Sequence, residues 1–287
     1  MDTTDWLLLT KLFEEKNISR TAEILRFSQP AITYRIKKIE SELGVEIIQR
    51  SRRGIIFTPQ GEYIVQYAMR MYKEYIELKE EVLNYENKVQ GVLRLSASSI
   101  FSRYKLPPIL REFNLQYPLV EFHLNTGWSE DVSNAILKDE SQIGILRGDY
   151  NLPYVKKEIM KEGIYIVSKD KIDIDMLPRL PRTYYNTDTS LKKLIDDWWI
   201  ENYLTPPINT MQVDNLETCK KMVLNGLGYA IVPSILLNDD DKLFKVQCKN
   251  KAGEPVERIT WLIYKEEYLN NTVVKAFSDF ITNWNFN

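Results

Sequence analysis

The chain has only two cysteines, Cys219 and Cys248, and a single histidine, His123. Two thiols far apart in sequence make no disulfide framework, and they suit a reducing cytosol. One histidine inside an alternating strand pattern, with no ligand-spaced partner, offers no zinc site. No apolar run approaches the roughly eighteen residues that a membrane-spanning helix needs. The opening MDTTDW puts acid where a secretory signal carries base, so export is not expected. No nucleophile elbow, Walker loop or dinucleotide fingerprint is present, so no enzyme activity and no cofactor are expected. "NGLG" (225–228) follows a helical pattern instead of preceding one, which makes it a C-cap turn and not a phosphate cradle.

Net charge is small but unevenly placed. The net charge is −2, yet Asn17 to Gln60 holds eight Lys or Arg against four Glu, a net of +4, which leaves −6 for the rest. A basic segment on an acidic chain is an electrostatic footprint for nucleic acid.

That segment has a pattern of its own. Residues 5–15 read as a helix with Trp6, Leu9 and Phe13 on one face. A second helix follows, with Ser19 as N-cap and Ala22 and Leu25 inward. After a tight turn, Ser28 caps a third helix with Pro30 in its first turn, and Gly44 ends it. Ile32, Ile36, Ile39 and Leu43 make its apolar stripe, and Gln29, Thr33, Tyr34, Lys37 and Lys38 lie on the other side. Two β-prone runs around Ile47–Ile48 and Ile55–Phe57 flank the basic turn Ser51–Gly54, a small hairpin or wing. From Pro59 to about Val89, apolar residues from Ile64 through Leu78 and Val82 to Val89 alternate steps of four and three. A helix of ~30 residues is about 45 Å long and cannot bury such a seam alone, so it reads as a dimerisation strut.

Beyond residue 91, β-rich runs alternate with amphipathic helices. "VLRLSAS", "VEFHLNT" and "QIGILRG" belong to a first series; "GIYIVS", "NTMQV" and "YAIVPS" to a second; "RITWLIYK" and the helix "TVVKAFSDFITNWN" close the chain. Such alternation predicts two α/β lobes with mostly parallel sheets.

"TAEILRFSQPAITYRIKKIESELG" followed by "IIQRSRRGIIFTPQG" resembles the signature of LysR-type transcriptional regulators, and "LPPILREFNLQYP" and "NGLGYAIVP" are similar to segments of that family's effector domain. The resemblance covers the whole chain. It implies an α plus α/β architecture (α+α/β): a winged helix-turn-helix at 1–60, a linker helix at 61–90 and, at 91–287, a two-lobed effector domain like a periplasmic binding protein. Lobe I is expected at about 91–162 plus 265–287, and lobe II at 163–264. The resemblance further implies a tetramer built from two dimers, with RNA polymerase a candidate partner beside promoter DNA. Three departures stand out: Thr21–Ala22 replaces an Ala-Ala pair, Ile47-Ile48-Gln49-Arg50 replaces Leu-Phe-x-Arg, and Tyr34 stands where a basic residue is frequent. The last bears on base preference or on one phosphate contact.

The chemistry of the third helix fits that expectation. An amide such as Gln29 can pair with an adenine edge, while Pro30, Ala31 and Thr33 offer apolar surface to thymine methyls. Ser28 and Tyr34 complete this face. Lys37 and Lys38 suit phosphates, and Arg50, Arg52 and Arg53 can follow the backbone or enter a narrow minor groove. A merely solvated face is the plain alternative; the preceding helix, tight turn and basic wing favour DNA.

In the lobes, ligands are expected where strands of an open α/β sheet end. In lobe I these positions are Ser98, Ser99, Ile100, Thr126, Gly127, Leu146, Arg147 and Gly148; in lobe II they are Thr187, Thr189, Val213 and Asn215. Hydroxyls and helix-start amides there suit a small polar or anionic effector. Ser98 and Ser99 read equally well as turn and cap residues, and Arg147 as a surface salt-bridge partner. The resemblance also leaves open redox sensing through Cys219 and Cys248, since one branch of the family senses oxidants by a disulfide. A solute-binding protein or enzyme that merely begins with helices is the remaining alternative.

Overall fold

The first helix, α1 (Thr3–Glu15), begins where Asp2 can cap it: Asp2 Oδ1 accepts from Asp5 N at 3.0 Å, and Asp5 Oδ2 accepts from Asp2 N at 2.9 Å. The computed structural model describes residues 1–51, 54–84, 88–238 and 240–286, in two compact units, Met1–Tyr85 and Glu86–Asn287. In the first unit α2 (Ile18–Leu25) starts earlier than Ser19 suggests. Asn17 is the cap, its Oδ1 accepting from Arg20 N at 3.1 Å. In α3 (Gln29–Leu43), Ser28 Oγ accepts from Ala31 N at 3.4 Å, Pro30 occupies the first turn, and Gly44 ends the helix at φ 70°. Ile32, Ile36 and Ile39 are buried in one core with Leu8, Leu9 and Leu12. Leu43, the fourth member of the stripe, sits in the last turn and stays 44% exposed.

Strands β1 (Ile48–Ser51) and β2 (Gly54–Phe57) pair antiparallel, with Ser51 opposite Gly54. Arg52 and Arg53 lie outside the described residues, as does the side chain of Arg50. Glu40 of α3 fixes the base of this wing, its Oε1 accepting from Ile47 N at 2.8 Å. Thr58 Oγ1 accepts from Gly61 N at 2.9 Å to start α4 (Pro59–Asn84), whose Val65 and Ala68 complete the core against α1. The expected strut does not run to Val89: the described part of α4 reaches Asn84, residues 88–90 are not helical, and Val89 packs on the core of the second unit. Tyr85 of the heptad seam lies outside the described residues.

The second unit opens with β3 (Gly91–Ser98), α5 (Ser99–Tyr104) and α6 (Leu106–Gln116). α5 and α6 are separated at Lys105 because Pro107 and Pro108 fit only a first turn. Then come β4 (Val120–Gly127), α7 (Ser129–Leu137), β5 (Ile143–Arg147) and the long strand β6 (Val155–Ser168). β7 (Pro181–Tyr185), α8 (Thr189–Asn202), β8 (Ile208–Val213), α9 (Leu216–Leu224), β9 (Ala230–Pro233) and β10 (Phe244–Gln247) follow. β11 (Glu257–Tyr264) and α10 (Thr272–Thr282) close the chain.

Two lobes share β6. In lobe I, β4, β3 and β5 run parallel, while β11 pairs antiparallel with β5 on one side and with β6 on the other. In lobe II, β7 and β8 are parallel, and β9 and β10 flank the second half of β6 antiparallel. The sheets are thus mixed, not mostly parallel, because the strands crossing between lobes run against the others. β11 was expected in lobe II. Its full-length pairing with β6 and the burial of Leu262 and Tyr264 among lobe I residues put it in lobe I, so the chain returns before Glu257. A separate core, containing Ile164, Trp198, Cys219 and Ile231, fills lobe II.

Candidate DNA-reading face and inter-lobe cleft

On α3 the burial follows the stripe. Ser28, Gln29, Pro30, Lys37 and Lys38 are exposed, Ala31 and Thr33 half-buried, and Tyr34 is 70% exposed. Neither Lys37 nor Lys38 forms an ion pair with any described residue. Arg35 behaves differently: its Nε donates to Asp5 Oδ1 at 2.8 Å and its Nη2 to Asp2 Oδ2 at 2.7 Å. This pairing ties α3 to the start of α1, sets the angle of the exposed face and raises the Arg35 pKa, chiefly through the Asp5 hydrogen bond. For Asp2, the largest single influence is the upward pull of burial. Backbone hydrogen bonds from Asp5 and Thr4, with the charge and hydrogen bond of Arg35, together outweigh it and lower the pKa. Arg26 and Phe27, exposed in the turn just before Ser28, extend the accessible surface and were not anticipated.

Between the lobes lies a cavity of about 240 Å³. The ends of β3, β4, β5, β7 and β8 all reach it, as strand-end placement requires. Seven expected residues line it: Ser98, Ser99, Ile100, Gly127, Arg147, Thr187 and Asn215. Five do not. Thr126 is exposed on β4, pointing to the opposite face from Gly127 by strand alternation. Leu146 is buried with Val132 and Ile263 for the same reason. Gly148, at φ 97°, marks a close approach between lobes, where a Cβ would lie 2.0 Å from Ser190 Oγ. Val213 packs on the lobe II core. Thr189 reaches across to lobe I, its amide donating to Glu130 Oε1 at 3.2 Å and its hydroxyl to the same oxygen. A larger groove of about 670 Å³ is lined by residues such as Lys105, Glu158 and Trp284, but no strand-end residue of the expected set reaches it.

The charged floor of the cleft is internally paired. Arg258 Nη2 donates to Asp188 Oδ1 and Oδ2 at 2.6 and 2.7 Å and to Arg147 O at 3.0 Å. Arg147 is bonded to Glu162, whose other oxygen accepts from Ile235 N at 3.0 Å. Arg147 was expected to meet an anion or the surface; it is 2% exposed and part of this buried network. Burial pulls its guanidinium below the ordinary value, and the Glu162 carboxylate opposes that pull. At the mouth, Arg103 of lobe I pairs with Glu217 of lobe II. Ser98 Oγ caps α5, accepting from Phe101 N at 3.4 Å, and Ser99 Oγ donates to Gly127 O at 3.2 Å. The cap reading of Ser98 therefore holds alongside its place in the cavity wall.

Sequence reasoning missed Arg103, Trp128, Asn186, Asp188, Asp214 and Arg258. Arg258 comes from an antiparallel strand, which a rule for parallel strand ends overlooks. Asn186 and Asp188 follow β7, a strand not read in the sequence. Trp128 sits one residue past Gly127 and was within reach of that rule.

Both cysteines are buried, and Cys219 Sγ lies 3.7 Å from Thr183 O. Burial pushes each thiol up to about 12, so neither carries thiolate at neutral pH, which argues against oxidant sensing. His123 sits exposed beside Glu121 on β4. No His, Cys, Asp or Glu cluster among the described residues could hold a metal, and no described helix is long and apolar enough to cross a membrane.

A winged helix-turn-helix followed by a two-lobed cleft domain defines a DNA-binding regulator with an effector domain. The comparisons make that specific. Residues 4–62 match the model of the bacterial regulatory helix-turn-helix proteins of the lysR family, and residues 86–285 match the LysR substrate binding domain. The chain belongs to the LysR family of transcriptional regulators. It is 46% identical over 281 residues to the uncharacterized HTH-type transcriptional regulator YraN of Bacillus subtilis (strain 168), covering 98% of this chain and 97% of that one. A second regulator of the same organism, YkuM, is 34% identical and covers 94% of this chain and 93% of its own. Among solved structures, full-length CbnR with its target DNA has a TM-score of 0.67 at 17% identity, with 98% and 99% of the two chains covered. A full-length OxyR variant from Pseudomonas aeruginosa reaches 0.66 at 19%, with 99% and 95% covered. At these identities the structural likeness establishes a shared fold.

Proposed function

We propose that this regulator reads operator DNA with the face of α3 that carries Gln29, Pro30, Ala31, Thr33 and Tyr34. Lys37, Lys38 and the wing arginines Arg50, Arg52 and Arg53 hold the phosphates. The exposed end of the α4 seam pairs two chains, and contacts between effector lobes join two such dimers into a tetramer. Two-fold pairing suits a pseudo-palindromic operator in the cytoplasm, where RNA polymerase is the further partner. The inter-lobe cleft takes a small polar ligand bearing an anionic group, and no other cofactor takes part. A ligand shifts the assembly only by its differential affinity for two lobe arrangements.

The observation that carries this reading is a cavity into which five strand ends from two lobes converge. Ser99, half-buried in its wall, is the residue to test. Ser99→Leu should fill the cavity and abolish the effector's influence on operator affinity, measured by fluorescence anisotropy with labelled operator. A Ser99→Leu protein that melts cooperatively and still responds fully would remove the cleft as the effector site.

A further inference from the structure

Resting on the effector-cleft reading, the geometry points to the class of ligand: we propose a zwitterion of amino-acid type, with one carboxylate and one ammonium, and not a simple anion. Each arginine of the cavity wall is already paired, Arg103 with Glu217, Arg147 with Glu162 and Arg258 with Asp188, which leaves Asp214 as a surplus carboxylate. A simple anion would add an uncompensated charge to a part-buried space already holding a surplus carboxylate, which costs free energy. A zwitterion adds none.

Each pole also has a partner with unused capacity. The Ser98 hydroxyl oxygen accepts from Phe101 N and keeps its proton to donate, which suits a carboxylate. Asp214 is the wall carboxylate without an ion-pair partner among the described residues; its Oδ1 accepts only from Asn215 Nδ2, at 3.0 Å. Trp128, 54% exposed, adds an aromatic surface to the same wall. An ammonium finds a carboxylate and a ring face there. The volume of about 240 Å³ corresponds to roughly eight waters of liquid, room for on the order of ten non-hydrogen atoms.

The test uses the purified full-length protein and three matched sets of probes: the proteinogenic L-α-amino acids, carboxylates lacking the amine (propionate, lactate, succinate), and amines lacking the carboxylate (ethylamine, putrescine, cadaverine). Thermal shift ranks them and isothermal titration gives Kd. At least one amino acid at a hundredfold excess over its Kd should raise Tm by about 5 °C, and its single-headed relatives should not. Asp214→Asn, a change at an exposed residue, should weaken that amino acid about ten- to a hundredfold. The zwitterion assignment is overturned if carboxylates bind as well as amino acids, if no amino acid binds, or if Asp214→Asn leaves affinity unchanged. Carboxylate binding that Ser99→Leu abolishes would overturn the zwitterion while keeping the cleft. Amino-acid binding that survives Ser99→Leu would instead move the ligand out of the cleft.

Discussion

Gly61 shows how one contact can reverse a propensity. It lies in the first turn of α4, where alanine normally stabilises a helix by about 1 kcal/mol over glycine. Here a Cβ would stand 2.0 Å from Ile47 O, a backbone atom at the base of the wing. Gly61→Ala should therefore destabilise the DNA-binding unit by about 1–3 kcal/mol, the usual cost of overpacking, as denaturant titration of residues 1–84 within the intact protein would show. Base reading divides among residues in a different way. Gln29→Ala or Thr33→Ala should relax preference at particular operator positions, at a cost of about 1–3 kcal/mol if the contact is bidentate. Arg52→Ala or Arg53→Ala should weaken all sequences alike and flatten the salt dependence; equal footprints and affinities in both sets of variants would contradict the assignment. The α3 face was legible because Ser28, Pro30, Gly44 and the isoleucine stripe are local signals. The Arg35–Asp5 pair was not, since its partners stand 30 positions apart and meet only in the folded core.

At the scale of elements, α4 serves two purposes along one stripe. Its first turns give Val65 and Ala68 to the core on α1, while further along Leu78 and Val82 remain 55% and 58% exposed. Two apolar side chains left in water one turn apart are the part of the seam available to a second chain. Leu78→Asp should convert the protein to smaller assemblies at micromolar concentration, measured by light scattering, with little change in the far-UV spectrum. A stable monomer before the substitution would rule out the seam. The heptad itself was readable in the sequence, but its division was not, because periodicity records which side of a helix is apolar and not what covers it. The first half of β6 was hidden for a different reason: "KKEIMKEG" has few of the β-branched residues that announce a strand, and its place is set by pairing with β11.

Over the whole molecule, control of DNA binding by a ligand is a coupling free energy. A coupling of about 1–3 kcal/mol corresponds to a 5- to 150-fold change in operator affinity. Linkage makes this reciprocal: operator DNA must change the ligand's affinity by the same factor. Titrating ligand into free protein and into the operator complex should give Kd values whose ratio equals the ratio of operator affinities with and without ligand. Unequal ratios would mean that a third state, such as a change of assembly, takes part. The two-lobed plan was legible from strand–helix alternation, and seven of the strand-end residues do line one cavity. The lobe boundary was misplaced because the alternation says nothing about which sheet a returning strand rejoins.

The two passages between lobes lie side by side. β6 leaves lobe I through Gly163 and Ile164, and the returning chain runs past it antiparallel, with Glu257 opposite Gly163 and Ile164 N donating to Val256 O at 2.9 Å. Two hydrogen-bonded strands form a strap that flexes readily out of its own plane and strongly resists bending within it. Any opening of the cleft is thereby channelled into one swinging direction, as a leather hinge guides a lid. Side-to-side sliding of the lobes would have to break the ladder. A ligand in the cleft then acts on a single angle, so occupancy translates into a repeatable pose of the lobes and not a scatter of them.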